Sequence, residues 1–472
     1  MIRHAVFVLV AAMLVVLFPG SAPAQVAPLM LDEVLRSSAR SAPQIVEALA
    51  RVRQVEGRAL SADGAFDTVF DVDGRSRVTG FWDGSVIDAR ATRPLANNGG
   101  YVYGSYRASR GTFPIYEDVA FTNRLGEAKV GALFALLRDR VIDERRTRRA
   151  IAGTDIDVAR FEAEMVAIGV QRRAVDTYQN WVAAGLRLRA FRDLVQIAEE
   201  RRSAIARQVT LGARPAILLT ENDQNLVRRR GLAARAEQDF AGAANALSLY
   251  LRDEDGAPLT VAANRLPGDV VALASLARIA PAATAARRPD YQAVLTRIDQ
   301  ATARLMLAKN DLSPRLDLRG EVGKDFGATS FGGSSRTALE TIVGFKFSVP
   351  LQNRAAKGRV AEARADIDAL GQRSRFLRDQ IAVEVESIVI AADGAEQLAT
   401  IAEQERRLAD RLADAERRRF ELGSGDFFLV NQREETANDA RVRLIDAQAR
   451  IASTRAELAA ATADRAALGL DR

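Results

Sequence analysis

The stretch RRPDYQAVLTRIDQATARLMLAKNDLSPRLDL (287–318) changes period partway along. After Pro289 its apolar residues recur at three and four, as on an amphipathic helix; its end alternates, as a strand does. Proline is well tolerated in the first helical turn, where its missing N–H has no intrahelical partner. The same script stands 246 residues earlier: SAPQIVEALARVRQVEGRALSADGAFDTVFDV (41–72) aligns without a gap, Pro43 on Pro289. A second pair aligns at an offset of 211: ARQVTLGARPAILLTENDQN (206–225) against RRRFELGSGDFFLVNQREET (417–436). Each runs a helix to Leu-Gly, turns and starts a new helix. Glycine supplies the left-handed residue that closes the first helix. Asp426 is placed to cap the next one, and Pro215 opens its counterpart. Two pairs in the same order read as an internal duplication. Because 246 and 211 differ, the first copy carries 35 extra residues between its markers.

After each first helix the sequence alternates. Phe70, Val72, Val78 and Trp82 share one parity with small residues, against Asp71, Asp73, Arg75 and Arg77. In the second copy Leu316, Leu318, Val322 and Phe326 oppose Asp317, Arg319, Glu321 and Asp325; Leu339, Val343, Phe345, Phe347 and Val349 oppose Glu340, Lys346 and Ser348. Period two with one apolar and one charged face suits a half-buried strand. It equally suits a membrane strand, apolar to lipid and polar to a lumen. Turn-rich GSVIDARATRPLANNGG (84–100) and GATSFGGSSR (327–336) read as the loops between paired strands. Two strands per copy, four per chain, are expected.

The remainder reads as helix. From Val360 to Ala415 apolar or small residues recur at three and four, interrupted at Ser374 and Glu405. Such a run reads as coiled coil. Residues 359–422 as one helix span roughly 96 Å. A helix that long needs a partner, and 426–467 returns antiparallel after the glycine turn. Arg228–Arg230, Arg406–Arg407 and Arg417–Arg419 are expected on solvated helix faces with i,i+4 acidic partners, not on nucleic acid. Glu434 and Glu435, adjacent on a helix, point apart.

Composition excludes much else. The 472 residues hold no cysteine and one histidine, His4, so thiolate, Ser-His and common metal chemistries lack their residues. No cofactor, metal site or catalytic group is expected. Arg3, fourteen apolar residues (5–18), Pro19-Gly20 and Ala22-Pro23-Ala24 form a secretory leader cleaved after Ala24. No later apolar run reaches twenty residues, so any membrane part must be β. Four strands leave two open edges, which lipid does not tolerate. A membrane chain of this kind would have to oligomerise to close.

On RPDYQAVLTRIDQATARLMLAKNDLSPRLDL (288–318), GFKFSVPLQNRAAKGRVAEARADI (344–367) and FELGSGDFFLVNQ (420–432), the chain resembles the TolC-type outer-membrane efflux proteins. In that family helix passes to strand near the Pro314 position, strand returns to helix after a segment like Val349-Pro350-Leu351, and the Leu-Gly turns are the periplasmic tips. The resemblance implies a mainly α fold with a small β part: duplicated helix–strand–strand–helix units closing as a trimeric, twelve-stranded β-barrel on a periplasmic α-helical barrel. The expected layout is leader 1–24, first repeat 25–257 (strands about 66–82 and 101–114, tip 211–216), equatorial region 258–288, and second repeat 289–472 (strands 314–326 and 337–350, tip 422–426).

The resemblance also implies the function: an outer-membrane exit duct of a tripartite efflux pump or type I secretion system. Its expected partners are two further copies, a periplasmic adaptor, an inner-membrane pump or ABC transporter, and outer-membrane lipid. Leu211, Gly212, Pro215, Leu422, Gly423, Ser424 and Asp426 are the candidate adaptor contacts. Val343, Phe345 and Phe347 should face lipid. Family members commonly carry an acidic residue six positions after the tip glycine; here Leu218 and Leu429 stand there. A gate would then be hydrophobic or use Glu221 or Asp426. The competing reading is a soluble periplasmic coiled-coil adaptor or scaffold.

Overall fold

The computed structural model describes residues 27–274, 281–329 and 336–471; the leader segment 1–24 lies outside them. Two long helices set its frame: α3 (Glu144–Thr210, 67 residues) and α7 (Arg354–Glu421, 68 residues). At 1.5 Å per residue each is roughly 100 Å long. Neither contains proline, so the usual cause of a kink is missing. Two shorter helices share the length of each. α2 (Pro43–Asp63) and α4 (Ile217–Leu247) pack on α3; α6 (Pro289–Asn310) and α8 (Phe427–Ala461) pack on α7. α3 also packs on α6 and α8, which joins the two copies. Alanines let the antiparallel helices approach closely: Ala409 and Ala413 of α7 meet Ala437 and Ala440 of α8.

The largest core lies halfway along α3. There α1 (Leu31–Ser41) and the connecting chain after α4 wrap the bundle. Trp181, fully buried, stacks on Phe240 with ring centroids 6.0 Å apart. Tyr178 donates its hydroxyl to the Leu29 carbonyl at 2.8 Å, and burial pushes its pKa up to about 12. A Cβ on Gly185 would meet Leu266 at 2.5 Å, so the belt is packed against α3 without spare room. In the expected equatorial region, Arg265 clasps Glu33 of α1 at 2.7 Å, and α5 (Pro281–Arg287) leads into α6.

Among the described residues the β part is one antiparallel sheet of six strands in sequence order: β1 (Val69–Ser76), β2 (Ser85–Pro94), β3 (Tyr101–Arg110), β4 (Glu127–Ala135), β5 (Arg315–Asp325) and β6 (Glu340–Ser348). This corrects the expectation of four strands per chain. Residues 85–94, read as loop, are β2, and 127–135 are β4. The first copy holds β1 to β4 where the second holds β5 and β6. Its β segment runs over 69–135 against 315–348, a difference that accounts for nearly all of the 35 extra residues. The duplicated unit is intact, with a hairpin inserted between its two strands. β1 also stops at Ser76, short of the alternation read to Trp82, because Gly80 turns the chain back at φ +119°.

Candidate channel wall and periplasmic tip

The pairing registers put matching parities together across all six strands. Val72 stands opposite Ala89, Ala89 opposite Tyr106, Gly104 opposite Val130, Val130 opposite Val322, and Leu318 opposite Phe345. One face is therefore mainly apolar from edge to edge, carrying also Phe70, Ile87, Phe134, Val343 and Phe347, with Arg93, Arg110 and Lys324 as charged exceptions near strand ends. It is uncovered: Phe70 is 68%, Val130 68%, Val343 72% and Phe345 78% exposed. A face this apolar and this open needs a non-aqueous cover.

The opposite face is charged and internally paired. Arg107 reaches Asp88 at 2.7 Å across β2 and β3; Lys129 meets Glu127 at 2.7 Å, Arg319 meets Glu321 at 2.6 Å, and Arg315 meets Asp317 at 2.7 Å. Tyr103 donates to Glu321, and Arg90 lies 4.7 Å over the Tyr103 ring. Gly131 makes room for that ring, since a Cβ there would come within 2.6 Å of it.

Ends and turns are sorted too. The short turn 95–100 lies at the helical end of the sheet. Asn98 binds the Ala135 N–H and carbonyl, both at 2.9 Å, and the Gly99 N–H donates to the Asp139 carbonyl at 2.9 Å. Asp139, in the left-handed region at φ +69°, exchanges two hydrogen bonds with Asn310 at the end of α6. The connections at the far end are longer, at 77–84, 111–126 and 326–339. Short turns on one side and long loops on the other are the habit of outer-membrane barrels.

About 100 Å away, by the length of α3, lie the two helical turns. Gly212 and Gly423 close α3 and α7 at φ +72° and +82°, and nothing lies within 4 Å of where their Cβ would be. Leu211 and Leu422 are 82% and 84% exposed at the extreme tip. Asp426 accepts from the Phe428 N–H at 3.1 Å and caps α8. Pro215 and Ser424 are exposed beside them; Ser424 donates to the Arg419 carbonyl. The gate candidates separate. Leu218 turns inward onto the tip core of Ile205, Phe420, Phe427 and Val430, Leu429 is half-buried, and Glu221 stands exposed on the groove between α4 and α8.

One cluster escaped the sequence reading. Behind the tip Glu434 of α8, 1% exposed, is held by Arg201 of α3, by Arg229 of α4 at 3.1 Å and by Arg417 of α7 at 3.3 Å. Arg201 and Arg229 also reach Asn431, and Arg229 donates to the Leu194 carbonyl. All four helices thus meet on one carboxylate. Burial pulls the Arg229 guanidinium below its ordinary pKa, and Glu434 works against that. This corrects the assignment of Arg228–Arg230 to a solvated face: Arg229 is fully buried, while Arg228 takes Glu435 and Arg230 takes Glu199. Three consecutive arginines span about 200° of a helix at 3.6 residues per turn, so one of them was bound to meet a neighbour.

No group of His, Cys, Asp or Glu among the described residues could hold a metal ion, and no helix among them is long and apolar enough to cross a membrane. Comparison with known proteins adds a partial family match and a shared fold. Residues 280–464 match the family model described as outer membrane efflux protein, so the second copy carries the resemblance. Solved outer-membrane channels share the fold of nearly the whole chain. The Campylobacter jejuni CmeC channel aligns at TM-score 0.61 and 14% identity over 92% of this chain and 85% of its own. OprN aligns at 0.64 and 16% over 92% and 89%, and the open state of Neisseria gonorrhoeae MtrE at 0.63 and 13% over 92% and 88%. No curated protein matches in sequence. The fold shared with these channels is a β part set on long helical hairpins.

Proposed function

We propose that three copies of this chain form an exit duct through the outer membrane, the passive terminal conduit of a tripartite efflux or type I secretion machine. The observation that carries this is the sheet, uncovered and apolar on one side, charged and ion-paired on the other. A water-filled pore in lipid needs such a wall, with Val343, Phe345 and Phe347 facing hydrocarbon. A soluble scaffold would expose that apolar face to water for no gain.

The sheet has two free edges, β1 and β6, and lipid forbids both. Side-by-side association satisfies them, and the helices favour the same arrangement. α7 carries Phe376, Val383, Ile390, Leu398, Ile401, Leu408 and Leu412 exposed along its outer flank. The first three recur at intervals of seven, a coiled-coil seam without its partner. Val46 and Leu49 of α2 and Val227 of α4 are exposed on the other copy's helices. Neighbouring copies bury these stripes and line a tunnel below the sheet. The leader 1–24 exports the chain. The exposed tips, Leu211-Gly212 to Pro215 and Leu422-Gly423-Ser424 to Asp426, take the periplasmic adaptor, through which an inner-membrane pump or ABC transporter delivers cargo. Leu218 and Leu429 favour an apolar seal over an anionic ring.

Fractionation tests this directly. The protein should sediment with outer membrane, resist alkaline wash and run as a trimer in mild detergent. Recovery as a soluble monomer would overturn the reading in favour of the scaffold.

A further inference from the structure

From the inserted hairpin we infer that the barrel of this protein is built from eighteen strands and is wide enough to match its own helical tunnel. The inference rests on the trimeric duct proposed above.

β2 and β3 are full members of the wall. They pair with each other over their whole lengths, β2 with β1 over Ser85–Thr92 and β3 with β4 over Tyr101–Arg107, and their ten residues each suffice to cross a bilayer. Their parities agree with their neighbours: Ile87, Ala89 and Tyr106 on the apolar face, Asp88 and Arg107 paired on the charged one. A hairpin folded into the lumen as a plug, or lying outside the barrel, would not continue both faces. The turn 95–100 is also tied to the β4–α3 junction through Asn98 and Gly99, which holds the hairpin upright in the sheet.

Circumference supports the count. Each chain supplies four helical columns, α2 with α4, α3, α6 with α8, and α7. Twelve columns packed 8–10 Å apart make a ring of roughly 110 Å. Strands about 4.8 Å apart, tilted by about 40°, occupy roughly 6 Å of circumference each, so eighteen of them close at roughly 110 Å as well. Twelve would close at roughly 75 Å and pinch the duct at the membrane. Barrel diameter grows about linearly with strand number, so the insertion widens the mouth about 1.5-fold.

The chain has no cysteine, which makes the test clean. Ser348, at the helical end of β6 on the charged face, is replaced by Ser348→Cys and challenged on intact cells with maleimide-polyethylene glycols of graded size. The same is done in a variant lacking residues 77–110, which restores the two-strand layout of the second copy. A small maleimide should label both, and the size cut-off should fall by about one third in diameter on deletion. An unchanged cut-off overturns the eighteen-stranded wall and leaves the duct standing. Failure of even a small maleimide to reach Ser348→Cys from outside in the full-length chain overturns the duct itself. Should the deletion variant not assemble, the intact chain decides: Thr92→Cys should react with a charged maleimide and Ile87→Cys should not, and equal rates would remove the hairpin from the wall.

Discussion

Removing Glu434 should loosen the helical tip far more than removing any other carboxylate near it. The side chain is 1% exposed and faces Arg229, itself fully buried, with Arg201 at 8%. Glu434→Ala leaves two buried guanidinium groups with no counter-charge, since Asn431 offers them only a neutral oxygen. Truncating one side of a buried pair costs about 3–5 kcal/mol. The cluster joins α3 and α4 to α7 and α8, so the loss falls on the association of the two hairpins and not on the sheet. If local opening precedes cleavage, about 3 kcal/mol raises the rate of proteolysis at the tip roughly a hundredfold. Trypsin should then cut after Arg207 or Arg419 while the sheet remains intact. The triple replacement Arg201→Met, Arg229→Met, Glu434→Leu removes the buried charge from both sides and should recover most of the protection, because apolar substitutes of similar volume often stabilise such sites. Proteolysis of Glu434→Ala within twofold of the parent would refute the view that this carboxylate ties the four helices together.

Further outcomes are expected elsewhere. Phe345→Arg should lower the yield of assembled trimer in outer membrane, since an arginine at mid-bilayer on the lipid face costs about 2–4 kcal/mol; undiminished yield would contradict the assignment of that face. Gly423→Val forces a β-branched residue to φ +82° with no steric neighbour to relieve, so it should destabilise the turn by about 1–3 kcal/mol and weaken adaptor binding while trimers persist. Leu211→Asp with Leu422→Asp should reduce pull-down of the adaptor without altering thermal stability, because both side chains are more than 80% exposed. Gly131→Val should displace the Tyr103 ring from its seat and free Arg90 and Glu321, measured as lower heat resistance of the trimer.

The helical half of the fold was legible because its signals are long. Pro289 and Pro43 mark matching starts, the Leu-Gly pairs mark matching ends, and a stripe kept over eight heptads has few alternatives. The turns at Gly212 and Gly423 were readable for the same reason, since only a left-handed residue ends those helices so abruptly. Strands β2 and β4 escaped because their apolar faces are written in alanine: Ala89 and Ala91 in one, Ala128 and Ala132 in the other. Alanine is a weak hydrophobic signal and a better one for helix. Pro94 and the Asn-Asn-Gly-Gly run after it further disguised β2 as loop. The unequal offsets held the clue, since 35 residues suffice for a second hairpin. The Glu434 site was hidden for another reason: each partner comes from a different helix, and no spacing along one helix announces a charge meant for three others.

The belt around Trp181 has a mechanical consequence. α3 carries no proline at which to bend, and α1, α4 and the connecting chain grip it near its midpoint. Were Leu211 at the lower end of α3 driven sideways, the belt is the support about which the helix would turn, and Glu144, nine residues from the last position of β4, would move the other way. In the proposed duct the belt would then serve as a fulcrum, linking the helical turns to the foot of the sheet without any signal passing through the space between.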